Sequence, residues 1–178
     1  MTNTRPDVAP QPHVDEQQVE EKWRAYPNTI LEFAGRPPLR LDLRERVTDD
    51  TREALAALGL GTAFGVFTAE NPAGENAEDA PTEGAEERRE RANDRRNSQL
   101  ERELDARGVA YVPVDGVSPD GQYREHCIAT LVARDEAVAL ARRYAQLALF
   151  WFDGESFWLL PALATKPPMR LPPSERDG

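Results

Sequence analysis

Cysteine and histidine are the scarcest chemistry in this chain. One cysteine cannot form an internal disulfide, which points to a reducing cytoplasm. Two histidines and one cysteine exclude a His-rich or Cys-rich zinc site, and no metal or cofactor is expected. Positive charge is also short. Twenty-two Lys and Arg stand against 32 Asp and Glu, a formal net charge of −10. That balance argues against nucleic-acid binding and against docking on anionic lipid, both of which need a basic footprint. No apolar run approaches the ~18 residues of a membrane span, and MTNTRPDVAPQPH lacks the apolar core of a secretory signal. Catalytic signatures are missing too: there is no G-x-S-x-G, Walker loop, G-x-G-x-x-G, H-E-x-x-H or C-x-x-C.

At 178 residues the chain fits a single domain with tails. Residues 1–14 are rich in proline and poor in apolar residues, which predicts a disordered tail that includes His13. The domain is expected over 15–162, with a Pro-rich extended tail over 163–178. Within it, 15–25 reads as a short helix capped by Asp15, and the period-two pattern of LRLDLR (39–44) reads as a strand in a hairpin with Asn28–Phe33. A helix over 49–58 is expected to carry an aspartate cap.

From residue 62 the order is strand (62–69), helix (86–107), strand (109–114), strand (123–133), helix (136–146, opened by Asp135), then two strands, 148–152 and 156–160, around Asp153-Gly154. Such an order predicts an α+β fold of two layers: a mixed sheet with helices on one face, built on a split βαβ, ferredoxin-like core. Pro113 marks an edge strand or a strand end. The acidic stretch 72–86 reads as a solvated loop, since its spacing is not that of a calcium loop.

One pattern calls for a functional reading. Asn93, Asn97, Leu100 and Leu104 share one stripe of the long helix, so the two amides face the side that the leucines anchor. A buried amide without partners costs on the order of 1–3 kcal/mol, so either these amides reach a hydrogen-bonding site or the helix start stands in water. The strand ending in Thr68-Ala69-Glu70-Asn71-Pro72 leads into that helix. Asn71, biased to an extended backbone by Pro72, then lies at the same rim. Glu125 shares a strand face with Cys127, Ala129 and Leu131, all read as inward. Partial desolvation there would raise its pKa and suit it to general acid or base work, with an ion pair to an arginine as the competing reading. Cys127 reads as a small core residue and His126 as a surface or capping histidine.

The segments FTAENP, N-x-x-x-N-x-x-L (Asn93, Asn97, Leu100), YREHC and RYAQLA resemble the bacterial family catalogued as domain of unknown function 3293. Its pattern runs T-A-x-N-P, N-x-x-x-N-x-x-L, W-x-E-x-S and F-G-Q-x-A. Tyr123 stands here where the family has Trp, Cys127 where it has Ser, and Tyr144-Ala145-Gln146 where it has Phe-Gly-Gln. The resemblance implies no activity, but it groups Asn71, Asn93, Asn97, Glu125 and Gln146 in one pattern. With Thr68 added, these residues are the candidate site for a small polar ligand, with Glu125 as the candidate catalytic residue. The alternative is a non-catalytic interaction or oligomerisation module, such as a homodimer formed through an apolar patch on the aromatic hairpin Phe150, Trp151, Phe152, Phe157 and Trp158.

Overall fold

Alternation of apolar and charged residues places the strands. In the chain's computed structural model, which describes residues 14–35, 37–72 and 84–173, the alternating run becomes β2 (Leu39–Asp42), paired antiparallel with β1 (Ile30–Phe33). Helix α1 (Glu16–Ala25) precedes this hairpin, with the Asp15 side chain accepting from the Gln17 amide. Next come α2 (Asp49–Ala57), β3 (Phe64–Phe67), α3 (Ala85–Ala106), β4 (Tyr111–Val117), β5 (Arg124–Thr130), α4 (Arg134–Arg143), β6 (Ala148–Phe152) and β7 (Phe157–Pro161). The Pro-rich segment after β7 supplies a further strand, β8 (Met169–Leu171), paired with β7.

The eight strands form one sheet in the order β2-β1-β4-β5-β3-β6-β7-β8. Every pairing is antiparallel, so the expected mixed sheet is corrected. α3 carries the chain from β3 to β4 and α4 carries it from β5 to β6, so that β5 and β6 flank β3. Pro113 sits one residue beyond the end of the β1 pairing, where the absence of its N–H leaves no gap in that ladder.

Helices cover both faces rather than one. Val19 and Trp23 of α1 and Leu55 of α2 join Leu31, Phe64, Val66, Phe150 and Leu159 in an inner cluster. Leu100 and Leu104 of α3 and Ala137, Leu140 and Ala141 of α4 join Phe67, Ile128, Trp151 and Leu160 in an outer one. Neighbours on a strand therefore belong to different clusters, Val66 against Phe67 and Phe150 against Trp151, as the period of two requires. The one-face expectation fails because four helices carry apolar stripes, and each stripe must be buried. The sheet is curled. Leu41 and Leu43 at its β2 end and Phe157 and Leu171 at its β7–β8 end line one shared surface hollow.

Three local expectations change with the fold. Thr48, rather than an aspartate, caps α2 by accepting from the Thr51 amide. α4 starts at Arg134 with no side-chain cap, so Asp135 lies inside its first turn. In the aromatic hairpin Phe150, Trp151, Phe152 and Phe157 are buried within the two clusters, and Trp158 is partly buried against the outer one. The expected N-terminal tail with His13, and most of the acidic loop 72–86, lie outside the described residues.

Candidate functional site

Where β3 ends, the chain turns along the end of β5 and hydrogen bonds converge. The Thr68 hydroxyl donates to the His126 carbonyl at 2.7 Å and accepts the Glu70 amide at 2.9 Å, pinning the turn. Asn71 follows with φ +43, a left-handed conformation that asparagine tolerates better than most residues. That corrects the extended backbone expected before Pro72. Hydrogen bonds, not the proline, aim the Asn71 carboxamide.

The stripe on α3 is as the spacing predicts. Leu100 and Leu104 are buried against the sheet, and Asn93, one turn and more upstream, is buried with them. Asn93 accepts the Asn71 amide through Oδ1 and donates from Nδ2 to Asn71 Oδ1, both at 3.1 Å. Arg96 reaches the same oxygen with Nη2 at 2.6 Å, and its Nε donates to the Ala69 carbonyl at 3.1 Å. Asn97 donates from Nδ2 to Glu70 Oε1 at 2.7 Å. From the end of α4, Gln146 donates from Nε2 to the Glu70 carbonyl at 2.8 Å and the Tyr144 carbonyl at 3.2 Å. The preceding Ala145 holds φ +54; with Asn71 it makes up the positive-φ non-glycine residues of the described chain, and both adjoin this network.

Glu125 enters from the other face of the sheet. It shares parity with Cys127 and Ala129, which pack in or against the inner cluster, whereas Leu131 is exposed instead of inward. Among the described residues no arginine pairs with it. Asn71 Nδ2 at 3.3 Å and the Tyr123 hydroxyl at 3.1 Å both donate to Glu125 Oε1. Burial pushes the Glu125 carboxyl above its usual range, and the nearby charge of Glu70 adds to this; the two hydrogen bonds and Lys22 pull the other way. Glu70 is raised by burial as well, against the Asn97 bond. The Tyr123 ring is 53% exposed, but its hydroxyl turns in to Glu125, and desolvation and then that charge push the phenol well up. Cys127 is raised by burial too, so its thiol stays protonated and inert.

His126 lies on the α3 face, one residue from Glu125 and on the opposite side of the strand. Its Nδ1 meets Asp115 Oδ1 at 2.7 Å, and this bond lifts the imidazole above its ordinary value. Arg124 spans Asp115 at 2.5 Å and Glu32 at 2.6 Å, tying three strands together.

The structure thus brings together all six sequence-predicted residues: Thr68, Asn71, Asn93, Asn97, Glu125 and Gln146. Within the set the roles differ. Thr68 and Gln146 are occupied with backbone groups, Asn93 holds both the backbone and the side chain of Asn71, and Asn71, Asn97 and Glu125 present side chains to one another or to the buried carboxylates. Sequence reasoning gave no role to Glu70, Arg96 or Tyr123. Glu70 occupies the variable place of T-A-x-N-P, so the motif passes over it. Arg96 adjoins Asn97 on the helix but lies off its narrow stripe. Tyr123 is visible only as the aromatic two residues before Glu125. Among the described residues, no group of three acidic, histidine or cysteine side chains is placed to hold a metal ion. No helix among them is long and apolar enough to cross a membrane.

Residues 67–149 match the family described as Protein of unknown function (DUF3293), a span of just under half the chain that contains every one of the six candidate residues. No curated protein and no solved structure gives a significant match.

Proposed function

With residues 67–149 falling in the DUF3293 family, we propose that the chain binds a small polar ligand at the end of its sheet, with Glu125 as the contacting and proton-transferring group. One observation carries this reading. Both hydrogen bonds to Glu125 end on Oε1, and Oε2 accepts none among the described residues. Oε2 is not sealed in, since no fully buried side-chain polar atom there lacks a partner. A carboxyl held by one oxygen, desolvated and open at the other suits proton exchange with a bound hydroxyl or amine. Among the described residues no activated nucleophile stands beside it, which favours acid–base over covalent chemistry. Nucleosides, sugars and amino-acid derivatives are the ligand classes that a carboxamide and a carboxyl recognise.

The strand order β4-β5-β3-β6, with α3 and α4 as crossovers, supports reading this part as a split βαβ, ferredoxin-like core within a domain that starts near residue 15. The lone cysteine, unpaired and half-buried, suits a reducing cytoplasm. The alternative, a non-catalytic interaction or oligomerisation module, draws less on the aromatic hairpin, since Phe150, Trp151, Phe152 and Phe157 are buried.

A thermal-shift and NMR screen of those three ligand classes tests the proposal on the wild-type chain and on Glu125→Gln, which keeps the shape and the Oε1 acceptor. A ligand that perturbs the Asn71 and Tyr123 resonances, and binds at least about tenfold more weakly to the variant, is expected. A flat screen, or a ligand indifferent to Glu125→Gln, overturns it.

A further inference from the structure

We propose that the cleft between α3 and strands β4 and β5, across the sheet from Glu125, binds a small amphipathic amine, with Asn97 and Glu101 receiving its ammonium group and Phe67, Leu100 and Ile128 bedding its hydrocarbon part. The cleft measures about 210 Å³ and is lined by those five residues together with Thr68, Asp115 and His126. It is independent of Glu125, which belongs to the opposite face.

Hydrogen-bond accounting sets the chemistry. Asn97 has committed its Nδ2 to Glu70, which leaves Oδ1 as an acceptor with no partner among the described residues. Thr68 has committed its hydroxyl proton to the His126 carbonyl. Glu101 and Asp115 bring carboxylates, which only accept. Apart from His126 and the second Nδ2 hydrogen of Asn97, the walls therefore offer acceptors, which favours a ligand that brings N–H or O–H donors. Charge points the same way. Asp115 from β4, Glu101 from α3 and Glu70 beyond β3 are negative. The positive groups on this side are His126, held by Asp115, Arg124, tied to Glu32 and Asp115, and Arg96 of α3, turned to Asn93 and the Ala69 carbonyl. An ammonium gains from that balance, and a carboxylate does not. The apolar bed rewards a compact hydrocarbon body.

His126 is the tunable wall. While protonated it opposes a cation, and its bond to Asp115 keeps it protonated to higher pH than a free imidazole. Amine affinity accordingly rises with pH as the imidazole discharges, at a pH above that of an ordinary histidine.

Benzylamine, benzyl alcohol and benzoate, one apolar body with three head groups, make the test. They are titrated into the full chain while the Ile128 methyl and His126 ring resonances are followed. Saturable shifts are expected at both residues with benzylamine, weaker ones with the alcohol and none with benzoate. Glu101→Gln should weaken benzylamine roughly fivefold, the scale of a partly exposed ion pair. Benzoate binding as well as benzylamine, an affinity that falls with rising pH, or silence of Ile128 with all three overturns the proposal. So do shifts confined to Asn71 and Tyr123, which would assign the amine to the Glu125 side instead. Failure of the Glu125 reading alone leaves the Ile128 and His126 shifts in place.

Discussion

Asn71 and Asn93, 22 positions apart, exchange two hydrogen bonds that run in opposite directions: backbone amide to carboxamide oxygen one way, carboxamide to carboxamide the other. This pair fastens the start of α3 to the chain leaving β3. Without it, the first half of the helix would keep only the ties from Arg96 to the Ala69 carbonyl and from Asn97 to Glu70. Asn93→Leu strands the Asn71 backbone amide and the Asn71 carboxamide oxygen in a partly buried place. We expect a loss of about 1–3 kcal/mol by urea denaturation, the cost of leaving buried polar groups unpaired. Stability that holds or rises would show that the amide serves something other than the fold.

Glu125 gives the molecule a pH signature. Its folded pKa stands above its unfolded one, so the folded state holds the proton more tightly. The group's contribution is fully present below the unfolded pKa and is lost as pH rises through the folded pKa. Glu125→Gln, neutral throughout, should leave Tm near wild type under acidic conditions and raise it under mildly alkaline ones. Parallel Tm–pH curves for the two proteins would contradict a desolvated carboxyl at this position.

Ala145 holds a left-handed backbone conformation that costs an L-residue roughly 1–2 kcal/mol, while glycine adopts it freely at an entropic cost of roughly 0.5–1 kcal/mol. Ala145→Gly is expected to stabilise the chain by about 0.5–1 kcal/mol, seen as a raised Tm with an unchanged far-UV spectrum. A lowered Tm would mean that the Ala145 methyl contributes packing worth more than the strain.

Gly65 is needed for closeness, not for backbone freedom. A methyl added there would stand 2.9 Å from the Ala137 methyl, where α4 crosses β3. Gly65→Ala should cost about 1–3 kcal/mol in denaturant unfolding, the usual penalty of overpacking, and Ala137→Gly in the same chain should return part of it. An innocuous single variant would mean that α4 shifts without penalty.

The stripe on α3 was legible because Asn93, Asn97, Leu100 and Leu104 obey the helical period, and a helix so anchored leaves its amides few directions to face. The strands were legible for the same reason, at a period of two. Helices on both faces were not, because α1 and α2 show where their apolar stripes lie on the helix but not which side of a sheet receives them. Nor was the direction of pairing, which depends on contacts far apart in sequence. Glu125 was read as half-desolvated from the parity of its strand, and that parity holds. Its partners were missed, since an arginine-rich sequence suggests ion pairs that the topology never brings near. Glu70 carried no periodic signal at all; only the turn after β3 buries it.

Glu125 and His126 are bonded neighbours on β5 whose side chains leave through opposite sides of the sheet, and Glu70 is the one charge that acts on both. Neutralising that single carboxyl therefore alters the proton affinity of an acid on one surface and of an imidazole on the other. Titration curves recorded on the two surfaces therefore share one input, the charge on Glu70, although the groups they report stand on opposite sides of a single strand.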